Sequence, residues 1–129
     1  MSFLAKLMVD GHEANVLECY YFFNQNTDAV GVPTSIPMGG RIQLLIESTG
    51  NNIFYDWMTS PTMMKNGLVT FYRRDTMSRM KMLEFIDAYC VSYIESFVHT
   101  GEYSMQTGIV LSAKELKLNE SEFKNNWPG

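Results

Sequence analysis

Acyl or phosphoryl transfer needs a nucleophile, a base to take its proton and a group that orients the base. The chain offers two histidines, His12 and His99. His12 follows the Asp10-Gly11 pair and His99 lies in VHTGEYS, so both read as solvent-facing groups beside turns. Neither stands at metal-ligand spacing from another His, a Cys or a carboxylate pair. Gly39-Gly40 is followed by no Lys-Ser/Thr and no helix, as a phosphate loop requires. Gly-Gly ahead of a strand marks a bend or a close backbone approach instead. Glu47, Glu84 and Glu95 sit on strand segments, mostly out of phase with the apolar rows, and read as outward groups. Asp87 lies among apolar residues where the phase slips, which is the place of a bulge-end carboxylate. Cys19 and Cys90 each sit in an apolar run and behave as small hydrophobes, not as a disulfide framework. These spacings point to no catalytic residue, no metal site and no cofactor, and the chain reads as a non-enzyme.

The elements that carry these residues are mostly strands. Residues 3–9 alternate, with Phe3, Ala5, Leu7 and Val9 on one face, and Asp10-Gly11 predicts a tight hairpin turn. Residues 14–23 follow as a strand with apolar groups on both faces, which demands cover on both sides. Residues 24–40 hold two Pro, three Gly and no period, a long structureless connection of the kind that usually serves a function. Residues 41–48 form the next strand. Ile53, Phe54, Trp57 and Met58 recur at helical spacing, with Asn51 or Asn52 as cap and Pro61 as stop. Trp57 is the expected anchor of that short helix on the sheet. Strands follow at 67–74, 79–97 and 103–118. The apolar phase changes near Asp87 and again after Ala113, as at bulges. The final NESEFKNNWPG reads as a loosely held tail, 119–129, of a single domain, 1–129. The pattern predicts a mainly β fold, a sandwich or partly closed barrel with one short α-helix.

Charge and composition narrow the partners. The 129 residues are 46% hydrophobic and 19% charged, a globular balance. Ten basic against 14 acidic side chains leave a net charge of −4, which argues against nucleic acid. The densest basic stretch, Arg73-Arg74 with Arg79 and Lys81, is interrupted by Asp75 and Glu84 and reads as a solvated hairpin end. MSFLAKLMVDGHE is neither a signal peptide nor a membrane span, so synthesis is expected to end in the cytoplasm. The 24–40 connection is nearly uncharged yet carries Val30, Val32, Ile36 and Met38. Met63 and Met64 stand in another connection, and Met, with ten copies here, suits adaptable contact surfaces. Exposed apolar surface and sheet edges need covering, and identical subunits closing a ring would cover both. These six residues are the candidate subunit or ring interface.

The segments SFLAKLMVDG, NVLECYYFFNQ, the loop ending in Gly-Gly, RIQLLIEST, FYDWM, GLVTFYRRD, LEFIDAYCVSYIESF and LSAKELKL occur in this order over nearly the whole chain. In order and spacing the chain resembles the Hcp (TssD) family, the tube protein of the type VI secretion system, in its Bacteroidetes-type branch. The resemblance implies two packed antiparallel sheets forming a barrel-like body with one short α-helix, as in phage tail tubes. It implies homohexameric rings that stack into a tube inside a contractile sheath. The partners it implies are other rings, a VgrG-type spike, sheath and baseplate proteins, and effector cargo in the channel. Localisation would be cytoplasmic until firing and extracellular afterwards, with no membrane insertion and no fused effector domain. It also implies that the 24–40 loop reaches neighbouring subunits or rings. The Met-rich turn from Thr76 to Met82 departs from the charged hairpin expected there. Two other readings compete. A small-ligand-binding β-barrel needs an apolar cavity, which the bulky Tyr and Phe of 14–23 and 83–93 would fill. A single-strand-binding module stacking bases on Tyr20, Tyr21 and Phe22 lacks a basic groove.

Overall fold

Seven strands run among residues 3–127, the residues that the computed structural model describes, and alternating apolar residues set all of them but the last. β1 (Phe3–Val9) and β2 (His12–Tyr21) form the expected hairpin. Asp10 and Gly11 both take positive φ, as the two-residue turn between twisted strands requires. β3 (Arg41–Glu47), β4 (Lys65–Arg73), β5 (Arg79–Phe97), β6 (Met105–Leu118) and β7 (Ser121–Lys124) follow. The antiparallel order is β3-β2-β1-β4-β5-β6-β7, and β3 also pairs with β6. Six strands therefore close on themselves, and the barrel-like body is one continuous hydrogen-bonded sheet. Leu7, Ile42, Leu44, Leu83, Phe85 and Leu111 are fully buried or nearly so and fill its interior. Each such side chain contributes about 1.5–3 kcal/mol by leaving water.

Closure rests on β6, whose one edge serves several partners in turn. Gln106–Ser112 pairs with β3, and Glu115–Leu118 pairs with β7. Between them, the Ala113 amide donates to the Gly40 carbonyl at 2.8 Å and the Asn125 amide donates to the Lys114 carbonyl at 2.7 Å. Asn125 Nδ2 donates to the carbonyls of Gly39, at 3.0 Å, and Ala113, at 2.8 Å. The tail expectation is thus corrected for Ser121–Lys124, which pair as a strand, and for Asn125, which ties down the entry to β3. The reason is that the backbone of β6 still had donors and acceptors to satisfy. Gly40 has φ +96°, and an added Cβ there would meet Asn125 and the Ala113 carbonyl. The Gly pair is the close backbone approach expected of it.

The two phase breaks of the sequence lie opposite one another. Ile86 pairs with Glu115 and Ala88 with Ala113, so both strands switch faces at one level and the β5–β6 ladder keeps its register there. The insertion falls on the other edge, where β4 and β5 shift register between Lys65 and Gly67. Asp87 takes φ +52° at this point, and its amide donates to Asn66 Oδ1 at 2.8 Å. That is a structural bulge-end role. β2 also bulges, between Val16 and Glu18, which puts Ala14 and Val16 and then Cys19 and Tyr21 against the core.

The helix, α1 (Ile53–Thr59), packs on β5. Asn51 starts it, its Oδ1 accepting from the Ile53 amide at 3.1 Å. Trp57 is 0% exposed and stacks on Phe85 with centroids 6.2 Å apart. Its Nε1 donates to the carbonyls of Ala88, at 3.1 Å, and Met63, at 3.2 Å. One side chain thus joins the helix, β5 and the connection to β4.

Trp57→Ala should cost about 3–5 kcal/mol in urea unfolding, because it opens a cavity and leaves two carbonyls without a donor. A loss below about 1 kcal/mol would show that the helix is not anchored there. Gly40→Ala should cost about 1–3 kcal/mol, since it combines a left-handed φ with a collision. Gly50→Ala, at a site with open space around it, should stay within about 0.5 kcal/mol. Equal effects at the two glycines would contradict the close approach at Gly40.

Candidate subunit interface

Residues 24–40 are not structureless, contrary to the reading from their composition. They fold back as a two-legged arm between β2 and β3. Asn24 and Met38 exchange backbone hydrogen bonds of 2.9 and 2.7 Å at the root. Higher up, the Thr34 amide donates to the Asn26 carbonyl at 2.7 Å, and the Asn26 amide donates to Ser35 Oγ at 2.8 Å. Asp28 closes the tip, where its Oδ1 accepts from the amides of Val30 and Val32 at 3.0 Å each. Gly31 supplies the positive φ of the turn. Side-chain capping and isolated bridges leave no hydrophobic period, which is why the pattern hid this order.

The arm gains its order from hydrogen bonds without burying its apolar side chains. Val30 is 85% exposed and Ile36 68%, and Val32 and Met38 are exposed too. Phe23 anchors the root, edge-on to Phe123 of β7 at 4.9 Å and over Gly39. An arm already ordered loses little further freedom when a partner covers it.

Met63 and Met64 are exposed as well, in the connection from α1 to β4. They stand at the other end of the barrel from the arm, beside Asp10, His12 and Lys65. The six candidate residues are therefore two patches, one at each end. Sequence reading missed a further exposed set. Ile94 and Phe97 on β5 are each 67% exposed, and Val98 and Met105 flank the same hairpin. Tyr20 and Phe22 at the end of β2 are exposed also. The signal was present as apolar residues in both phases of 14–23 and 88–94, but it said only that cover was needed. Phe123, a single apolar residue in a polar tail, gave no signal at all.

Among the described residues no group of three His, Cys, Asp or Glu could hold a metal ion, and no helix is long and apolar enough to cross a membrane. His12 and His99 are exposed, and His12 Nδ1 meets only Asn51 Nδ2, at 3.4 Å. Burial pushes the thiols of Cys19 and Cys90 up to about 11, far from a reactive thiolate at neutral pH. Burial, reinforced by Glu95, also raises the Tyr93 hydroxyl.

The sequence matches the family model for hemolysin coregulated protein Hcp (TssD) over residues 1–128. No curated protein matches it. Among solved structures it is similar to Hcp1 from Flavobacterium johnsoniae, with a TM-score of 0.90, 38% identity and coverage of 95% of this chain and 99% of that one. Hcp1 from Salmonella typhimurium has the same fold, with a TM-score of 0.75, 13% identity and coverage of 95% and 92%. The sheath-tube complex of an extracellular contractile injection system, in its extended state, matches with a TM-score of 0.53 and 18% identity over 89% and 87%. The closed barrel, the exposed arm and these matches agree: the chain belongs to the Hcp (TssD) family and is a tube subunit of type VI secretion.

Proposed function

We propose that six copies of this chain, each acting as a single tube domain, close into a ring with a central channel, and that rings stack into the tube. One observation carries this reading: an ordered arm holds Val30, Val32 and Ile36 out in solvent, where none of the described residues covers them. The sheet adds a second demand. β4 pairs with β5 only as far as Ala88, so the same edge of β5 runs on from Tyr89 to Phe97 with no strand beside it among the described residues. A free edge of that length invites a partner. A ring of identical subunits answers both demands at every copy.

In this reading the arm residues Val30, Val32, Ile36 and Met38 and the connection residues Met63 and Met64 form contacts between copies. The tube then meets a VgrG-type spike, sheath and baseplate proteins, and effectors travel in its channel. The protein is cytoplasmic until firing and extracellular afterwards. Its work is mechanical, without catalysis or cofactor. A small-ligand-binding barrel is not favoured, because Phe85 and the aliphatic rows of β1, β3 and β6 occupy the interior where the ligand would sit.

The test is Val32→Asp combined with Ile36→Asp, which places charge in a contact that excludes water. Size-exclusion chromatography with light scattering should show the wild type at ring size and the variant shifted by at least about tenfold toward monomer, or some 1.4 kcal/mol per contact. Circular dichroism should be unchanged, since both side chains are exposed in the single chain, whereas melting should fall and lose its dependence on concentration as assembly is lost. An unchanged ring would remove the arm from the interface.

A further inference from the structure

The two ends of the barrel differ in charge. On β4 and β5 the buried rows through Val69, Leu83 and Phe85 continue, in the same phase, to Arg73 and Lys81, while a register shift beside Tyr72 turns Arg79 to the other face, where its Nη1 meets Met82 Sδ at 3.8 Å. The core thus ends in cations at this mouth, with Arg74 in the adjoining turn. Lys117 and Lys124, nearby, are paired with Glu122 at 3.7 Å and Glu115 at 4.0 Å. Among the described residues no carboxylate lies within ion-pair distance of Arg73, Arg74, Arg79 or Lys81, Asp75 in their own turn included. Beside them opens an apolar groove of about 260 Å³, walled by Phe23, Pro37, Leu83, Leu116, Leu118 and Phe123, with Ser121 and Glu122 on its rim.

The opposite end is acidic and carries a projecting knob. Beyond its bulge, β5 brings Tyr93, Glu95 and Phe97 opposite Ile109, Thr107 and Met105 of β6. Glu95 Oε2 accepts from Thr107 Oγ1 at 3.3 Å, and Thr107 meets Ser48 Oγ at 2.7 Å. The turn that follows holds Val98, Glu102 and Tyr103, and the Val98 amide donates to the Ser104 carbonyl at 2.7 Å. Asp10, Glu13, Glu47 and Asp56 lie at this same end, where Lys65 pairs with Asp10 and Glu13 with Lys6. The knob is apolar at its tip, with Phe97 and Val98 exposed, and carboxylates flank that tip.

We propose that the β5–β6 knob of one copy seats on the basic mouth of a second copy, with Phe97 and Val98 in the groove that the Phe23–Phe123 pair walls against Leu83, Leu116 and Leu118, and with Glu95 and Glu102 facing Arg73, Arg74 and Lys81. The occupant is a second copy because knob and groove, and acid and base, stand at opposite ends of the same chain, which makes a heterologous contact that repeats without closing. Desolvated aromatic and aliphatic side chains supply the affinity. The opposed charges set polarity and register, since a reversed copy would bring cation to cation. The proposal rests on the tube-subunit reading and adds which surfaces meet along the stack.

The full-length double variant Val98→Cys/Ser121→Cys tests it by crosslinking with a short bismaleimide, followed by denaturing gel electrophoresis. Cys90 is buried and Cys19 half-buried, and the single variants measure whatever background these two thiols give. The expected result is a ladder of covalent multimers running beyond six, absent from either single variant. Rings that are intact by mass photometry but yield no ladder overturn the proposal and leave the ring reading standing. A ladder ending at six overturns it as well, because the contact then lies within a ring. Absence of any ring overturns both readings. Should this pair disturb folding, Glu102→Cys with Glu122→Cys reports on the same contact from exposed positions.

Discussion

β6 must satisfy a different partner at nearly every step of one edge, and the rest of the molecule follows from how it does so. β3 takes the first half, Gly40 and Asn125 take the middle, and β7 takes the end. With β5 along the other edge, every ladder position of β6 from Gln106 to Leu118 is paired there except Lys114, opposite the Asp87 bulge. This closure forces the chain to enter β3 through a glycine with positive φ and keeps Asn125 against it. It also decides where unsatisfied surface remains. With the interior filled, the exposed apolar residues concentrate on the arm, the β5–β6 hairpin and the barrel ends. A small domain that spends its hydrogen bonds on closing one sheet has only those places left to offer a partner.

The strand content was legible because period-2 alternation is a strong signal in 3–9, 41–47 and 105–113, where one face is buried and the other is not. The helix was legible from Trp57 and its neighbours at helical spacing, with Asn51 just ahead. Bulges were visible as phase changes, but the phase change says nothing about the edge on which an insertion falls. The shift near Asp87 lies on the β4 side, and the slips of β5 and β6 match across their ladder. The arm and β7 were illegible for another reason. Their order comes from Asp28 capping two amides, from isolated bridges and from an edge with spare acceptors, and none of these leaves a hydrophobic period.

The candidate interface was legible in part. Exposed apolar residues in a connection rich in Pro and Gly pointed to Val30, Val32, Ile36 and Met38. Chain order could not show that Met63 and Met64 would stand at the far end of the barrel. That placement depends on the antiparallel path, which returns every second turn to the same end. Ile94 and Phe97 were overlooked because a strand with apolar groups in both phases looks the same whether it is covered within the chain or by another copy.

The central claim is that the folded chain is unfinished until copies surround a common axis. Negative-stain electron microscopy of the purified full-length protein addresses it most directly. The account predicts annular particles with six-fold end views and a stain-filled centre. A field of single globular particles at concentrations well above those needed for obligate assembly would contradict it.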